Sequence, residues 1–211
     1  MAEQLHPEET VTSVLFLRHG HTLQTEAGRL YSDPKALLSE QGRTQIEALA
    51  ELLEQEGYEK ILSSTALRVQ ASAEIIAKKL KQEIILLPGL DEQSVGQWEG
   101  RSYLEIKKSD PELYKAWCAD PIRNSAPDGE SIEDLYLRVV KDLKKMLLDY
   151  KGQKLIFVTH AGVIRSAIIE ALGMPIDNFW RLNIPTASAS KIDYSHNFAC
   201  LHFMANRARL S

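Results

Sequence analysis

The chain has 211 residues, 44% of them hydrophobic, which is ordinary for one globular domain and enough to bury a full core. A formal net charge of −4 excludes a general attraction to nucleic acid or anionic membrane, so any positive potential has to be confined to a pocket. Cys118 and Cys200 lie far apart without CxxC spacing and read as reduced thiols of a cytoplasmic protein, the polar stretch 1–13 is not a signal peptide, and no apolar run approaches the ~20 residues of a membrane span.

In chain order, Val14 to Arg18 reads as a buried strand that closes on His19-Gly20, followed by a polar loop through Pro34. Ser39 reads as an N-cap, and Ile46, Leu49, Leu52 and Leu53 recur at helical spacing up to Gly57. Lys60 to Ser63 is a second short strand, Thr65 to about Leu80 a helix, and Glu83 to Leu87 a third strand stopped by Pro88-Gly89. Leu90 to Asn124 reads as loop and short helix. Gly129-Glu130-Ser131 opens an amphipathic helix through Leu148, with Ile132, Leu135, Val139, Leu143 and Leu147 on one face. Lys154 to Thr159 is another buried strand, Gly162 to Leu172 a helix ended by Gly173 and Pro175, and the tail from Ala187 to Phe203 should add edge strands. Alternation of strands and helices predicts an α/β fold, a three-layer α/β/α sandwich on a mainly parallel sheet.

Two strands end alike: Val14 to Arg18 runs into His19-Gly20, and Leu155 to Thr159 runs into His160-Ala161-Gly162. A third ends at Ser63-Ser64 and opens a helix with Arg68 on its first turn. Ligands of open α/β sheets bind at the carboxyl ends of strands. If these strands are parallel neighbours, Arg18, His19, Arg68 and His160 meet at one rim. A guanidinium beside an imidazole there is a poor core and a good grip for phosphate. His6, His21, His196 and His202 read as solvated or structural.

These residues resemble the histidine phosphatase superfamily, the phosphoglycerate mutase-like proteins. Leu17-Arg18-His19-Gly20-His21-Thr22 is similar to its RHG motif. Leu38-Ser39-Glu40-Gln41-Gly42 with Gln45 resembles its L-T-x-x-G-x-x-Q helix start. Ser64, Arg68 and Ala73 resemble S-x-x-x-R-x-x-x-T-A, with Ser72 where Thr is usual, and Leu90-Asp91-Glu92 with Gly96, Trp98, Glu99 and Gly100 resembles L-x-E-x-x-x-G-x-W-E-G. Gly129-Glu130-Ser131 and Thr159-His160-Ala161-Gly162 match as well. The matches stand in the family's order over about residues 14–190.

The resemblance implies that His19 is a nucleophile that forms a phosphohistidine, which requires a neutral imidazole; two nearby guanidinium groups favour that state. It makes Arg18 and Arg68 phosphate ligands with His160 as a third, cationic donor, and Glu92 the acid that protonates the leaving alkoxide and then deprotonates water. Asp91 and Glu99 are the competing loop acids. The family often has a phosphate-contacting Asn seven residues after the Arg of RHG; Thr25 stands there and is the corresponding candidate.

Mutase members resemble one another in a longer, basic insertion that covers a second phosphate. The stretch between Glu92 and Glu130 is short, so the phosphatase branch, which includes alpha-ribazole phosphatases and broad-specificity members, is the closer likeness. The expected activity is metal-independent hydrolysis of a small phosphorylated metabolite, with no cofactor, no nucleic-acid partner and no membrane, in the cytoplasm. The side chains meeting the rest of the substrate are expected from Tyr31 to Pro34 and from Arg101 to Asn124. Competing readings are a cofactor-dependent phosphoglycerate mutase, a non-catalytic binder of phosphorylated ligands, and a metallohydrolase built on the H-x-H spacing of His19 and His21. The expected organisation is a flexible segment 1–13, one domain over 14–204 and a tail 205–211, with a homodimer allowed and the oligomeric state left open.

Overall fold

In the computed structural model, the described residues are 10–26, 29–196 and 198–207, the side chains of residues 25 and 26 excepted. The elements are β1 (Thr12–Arg18), α1 (Leu23–Glu26), α2 (Glu40–Leu53), β2 (Lys60–Ser63), α3 (Leu67–Leu80), β3 (Ile84–Leu86), α4 (Tyr103–Ser109), α5 (Pro111–Ala119), α6 (Ile132–Asp149), β4 (Lys154–Thr159), α7 (Ala161–Ala171), β5 (Ala189–Tyr194) and β6 (Ala199–Asn206). They form one six-stranded sheet in the order β3-β2-β4-β1-β5-β6, and β3, β2, β4 and β1 run parallel.

A sheet covered on both faces needs strands that are apolar throughout rather than alternating, and Thr12 to Leu17 of β1 are all buried. Alternate residues serve opposite layers. Val14 and Phe16 join Phe157 and the inner faces of α6 and α7, whereas Leu15 and Leu17 join Ile156 and the inner faces of α2 and α3. Phe16 and Phe157 are register partners on β1 and β4 and meet edge-on, ring centroids 5.3 Å apart. The three-layer α/β/α sandwich expected from the alternation is the fold observed. Ser39 caps α2 as expected, its side chain accepting from the Gly42 amide. Ser131 caps α6 in a reciprocal box with Asp134.

The structure differs from the sequence reading at three places. The stretch read as loop and short helix holds two helices, α4 and α5, packed on a small satellite cluster of Trp98, Ile106 and Ala126 with Tyr114 and Trp117. Their apolar residues are too few for a strong periodic signal. Of the tail strands only β6 is an edge; β5 lies between β1 and β6, which is why Ala189, Ser190 and Ile192 are buried. Leu52 points to solvent at 43% exposure, and Ala50 takes its place on the buried stripe of α2. No helix among the described residues is long and apolar enough to cross a membrane.

One close approach ties this frame to the loop after β1. A Cβ on Gly42, in the first turn of α2, would stand 2.2 Å from the His21 carbonyl oxygen, and one on Gly20 would stand 2.4 Å from that of Gly42. Both contacts are backbone, so neither can yield by turning a side chain. Gly42→Ala is therefore expected to destabilise the protein by about 2 kcal/mol, lowering Tm by roughly 4–8 °C for a chain of this size. Thermal unfolding of the variant checks this, and an unchanged Tm would show that the loop and α2 separate freely.

Candidate active site

The register of β2, β4 and β1 aligns their carboxyl ends, with Arg18 opposite Thr159 and Ser63 opposite Val158. The residues just beyond those ends therefore share one rim. His19 and His160 come together there, ring centroids 5.3 Å apart, and both are buried. Arg68, on the first turn of α3, lies between them and is only 1% exposed. Its Nε donates to His19 Nε2 at 3.3 Å, its Nη2 faces His160 Nδ1 at 3.3 Å, and its Nη1 donates to the Asp33 carbonyl at 2.7 Å. The Tyr31 ring lies 5.1 Å beneath the guanidinium carbon. Arg18 donates Nη1 to the Ile184 carbonyl, while its buried Nε has no partner among the described residues.

The chemistry of the partners assigns the tautomer of each ring. The Gly20 carbonyl, 2.8 Å from His19 Nδ1, only accepts, so that nitrogen carries the proton. Arg68 Nε only donates, so Nε2 of His19 is bare and points into the cation-lined rim. His160 is oriented the other way. Its Nδ1 faces Arg68, and its Nε2 lies 2.8 Å from Ser64 Oγ, whose own proton goes to Asp91 Oδ1 at 2.6 Å.

Burial, followed by the charges of Arg18 and Arg68, holds His19 well below the usual histidine range. His160 is lowered likewise, by burial and then by Arg68, His19, Arg18 and Arg138. His19 is thus neutral near pH 7, as a nucleophile must be. His160, expected from sequence to be cationic, is neutral as well, because an imidazolium there would be desolvated beside fixed cations.

Glu92 reaches the same rim from the loop after β3. Its Oε2 accepts from the Gly162 amide at the start of α7, at 3.3 Å, and its Oε1 from the Gln93 amide at 3.0 Å. A Cβ on Gly162 would stand 2.3 Å from Glu92 Oε1, so glycine at this position is what admits the carboxylate beside His160. The competing acids are used elsewhere: Glu99 accepts from the Ser32 amide and hydroxyl, and Asp91 from Ser64 and Thr65. Thr25 lies in α1, and its side chain is outside the described residues; His6 is outside them too. His21 binds Ser39 Oγ through Nδ1 at 2.7 Å, and His202 pairs with Asp193. No group of three or more His, Cys, Asp or Glu among the described residues is placed to hold a metal ion.

Several supporting residues escaped the sequence reading. Arg138 on α6 pairs with Glu130 and donates to the carbonyls of Gly89 and Asp91, fixing the loop that carries Glu92. Gln45 accepts from the His21 amide, and Ser72 Oγ lies 3.3 Å from the Gly20 amide while bonding the Arg68 carbonyl. Gln45 and Ser72 stood inside recognised motifs, which was the available signal for them. Arg138 had none, since the carbonyls it binds, those of Gly89 and Asp91, lie on the loop after β3.

The model of the histidine phosphatase superfamily (branch 1) matches residues 14–207. The chain belongs to this superfamily. It is 30% identical over 193 residues to the adenosylcobalamin/alpha-ribazole phosphatase of Salmonella typhimurium, over 91% of this chain and 95% of that protein. It is 33% identical to a metal-independent phosphoserine phosphatase of Arabidopsis thaliana, over 78% and 71% of the two chains. The crystal structure of the alpha-ribazole phosphatase from Shigella flexneri superposes with a TM-score of 0.87 at 26% identity, over 94% of this chain and 98% of that one.

In this histidine phosphatase the two buried rings make stability depend on pH. An unfolded histidine titrates near 6.5, and the folded rings titrate well below that. Below about pH 6.5 the unfolded state therefore binds more protons, and stability falls with falling pH by up to about 1.4 kcal/mol per pH unit for each ring. Urea unfolding at pH 7.5 and 5.5 should show lower stability at the acid value. His19→Asn should reduce that slope, and a slope of opposite sign would contradict the burial of neutral rings.

Proposed function

We propose that this histidine phosphatase hydrolyses small phosphate monoesters without a metal, through a phosphohistidine on His19. The observation that carries the reading is the bare Nε2 of His19, fixed by the Gly20 carbonyl on the far side of the ring and aimed between cations. In the first step Nε2 forms a bond to phosphorus as the ester oxygen leaves in line, and Glu92 gives that oxygen its proton. In the second, water attacks the phosphoryl group, Glu92 takes its proton, and Nε2 is released with inorganic phosphate. Nδ1–H keeps its bond to Gly20 throughout, so the positive charge of the phosphorylated ring faces a carbonyl dipole.

Arg68 serves both states. Its bonds to the two rings are replaced by bonds to phosphoryl oxygens, and the incoming dianion makes a cationic His160 favourable. The unpartnered Nε of Arg18 supplies a further donor. The short segment over the site favours water rather than a second phosphate as partner. Its Arg101 is tied to Asp110 and its Arg123 to Asp120, which leaves these guanidinium groups committed within the segment. The substrate is taken as a small phosphorylated metabolite of the kind named for the relatives, with alpha-ribazole phosphate and phosphoserine as the first two to test, in a cytoplasmic setting.

Turnover of a panel of phosphate monoesters in EDTA-containing buffer should equal turnover without chelator; loss on chelation with recovery on adding metal would overturn the mechanism. His19→Asn should lower kcat by roughly 10³-fold or more, and rapid quench of the wild type should trap phosphate on His19. In single-turnover measurements of the phosphorylation step, Glu92→Gln should slow alkyl phosphates by about 10²–10⁴-fold and p-nitrophenyl phosphate much less, because nitrophenolate leaves without a proton. Equal loss on both esters would remove Glu92 from the acid role.

A further inference from the structure

Ser64 is buried at the rim and touches His160 at the ring nitrogen opposite the one that faces Arg68, and the half-buried Asp91 stands behind Ser64. Ser64 is fully buried, and its hydroxyl has one proton, which goes to Asp91 Oδ1 at 2.6 Å. The oxygen therefore presents only lone pairs to His160 Nε2 at 2.8 Å, and that nitrogen must carry a proton. Asp91 is held on all sides. Thr65 donates its amide to Oδ1 and its hydroxyl to Oδ2, both at 2.7 Å, and Arg138 Nη2 donates to the Asp91 carbonyl at 3.1 Å. Thr159, the residue before His160, donates its hydroxyl to the carbonyl of Leu90, the residue before Asp91, at 2.6 Å. The carboxylate and the imidazole are thus set on one rigid frame.

We propose that Asp91, acting through Ser64, is the positioning residue that fixes the tautomer of His160 and supports its cationic form when a phosphoryl group binds. The inference rests on reading the rim as a phosphoryl-transfer site. With Nε2 protonated, Nδ1 is the nitrogen that faces Arg68 and the phosphoryl oxygens. When those oxygens take over Arg68, a bare Nδ1 would oppose them, so it must gain a proton to donate. A monoester's second ionisation lies near 6, so the monoanionic ester can transfer that proton to Nδ1 and bind as the dianion. The groups facing His160 are Arg68 from α3, Arg18 and His19 from the end of β1, Arg138 from α6, Glu92 beside Gly162, and Ser64. Four of these are cations or a neutral ring, and the Ser64 hydroxyl, polarised by Asp91, presents its lone pairs to the Nε2 edge.

A turn-capping role for Asp91 would need only its two bonds to Thr65, and this separates the readings. Nitrogen-15 NMR of the imidazoles, in the free protein and with orthovanadate, is combined with kcat and KM. Wild type should show a single Nε2–H tautomer for His160, doubly protonated with vanadate. Ser64→Ala should give a mixture of tautomers and lower kcat by about 10–100-fold with KM changed less than about threefold. Thr65→Val, which removes a turn bond and leaves the link intact, should keep the wild-type tautomer and kcat within about threefold. A wild-type tautomer and kcat in Ser64→Ala, or equal losses in Thr65→Val, would overturn the proposal. Asp91→Ala should behave as Ser64→Ala. If it does not fold, Asp91→Asn is used: incomplete protonation of His160 with vanadate is expected, and full protonation with unchanged kcat would overturn the part of Asp91. Absence of turnover in the wild type would sink the phosphatase reading alone, since the tautomer in the free protein is still measured.

Discussion

The guanidinium of Arg68 is almost completely removed from water, and the groups it touches are neutral: two imidazole nitrogens, a peptide carbonyl and the Tyr31 ring. Neither Arg68 nor Arg18 has a carboxylate within ion-pairing distance among the described residues. Burying a cation without an ion pair is costly, and Glu92 and Glu99 offset it only in part and from beyond ion-pairing distance, around a rim and loops that are pinned. That unpaired charge has two results. It keeps both histidines neutral, as the proposed nucleophilic role of His19 requires, and it leaves a deficit of negative charge of the kind a phosphate fills. In the proposed mechanism, nucleophile activation and phosphate affinity therefore come from the same residue.

The pinning explains why the recognised motifs lie where they do along the chain. The glycine and glutamine of the α2 start are spaced so that Gly42 lies against the His21 backbone while Gln45 bonds its amide. Ser72, one turn after Arg68, bonds the Arg68 carbonyl and lies beside the Gly20 amide, so α3 holds the loop that carries His19. Glu130 orients Arg138, which holds the loop bearing Asp91 and Glu92, and Gly162 leaves room for the Glu92 carboxylate at the start of α7. These motif residues outside the rim are the far side of contacts with it, whereas Trp98 packs in the satellite cluster.

Much of this was legible without coordinates. The buried strands could be read because a doubly covered parallel sheet demands unbroken apolar runs, and the ends of β1 and β4 announced themselves by placing Arg-His-Gly and His-Ala-Gly after such runs. The cap at Ser39 followed from local hydrogen-bond chemistry, and the helix start at Gly129-Glu130-Ser131 was legible although the Ser131–Asp134 box was not. The α4–α5 segment was not legible as two helices, because a satellite cluster of a few aromatics imposes no long period. The interior position of β5 was missed too, because strand order depends on which edge β1 offers after β4 has paired with it.

By itself the sequence determined the layered fold, the family, and the set Arg18, His19, Arg68 and His160. Strand burial, capping and turn chemistry act over a few residues and leave their mark locally. Only the tertiary structure decided which nitrogen of each ring is bare, that His160 is held neutral, and that Asp91 stands behind Ser64. Those properties depend on desolvation and on partners dozens of positions away, brought within 3.3 Å by the register of three parallel strands.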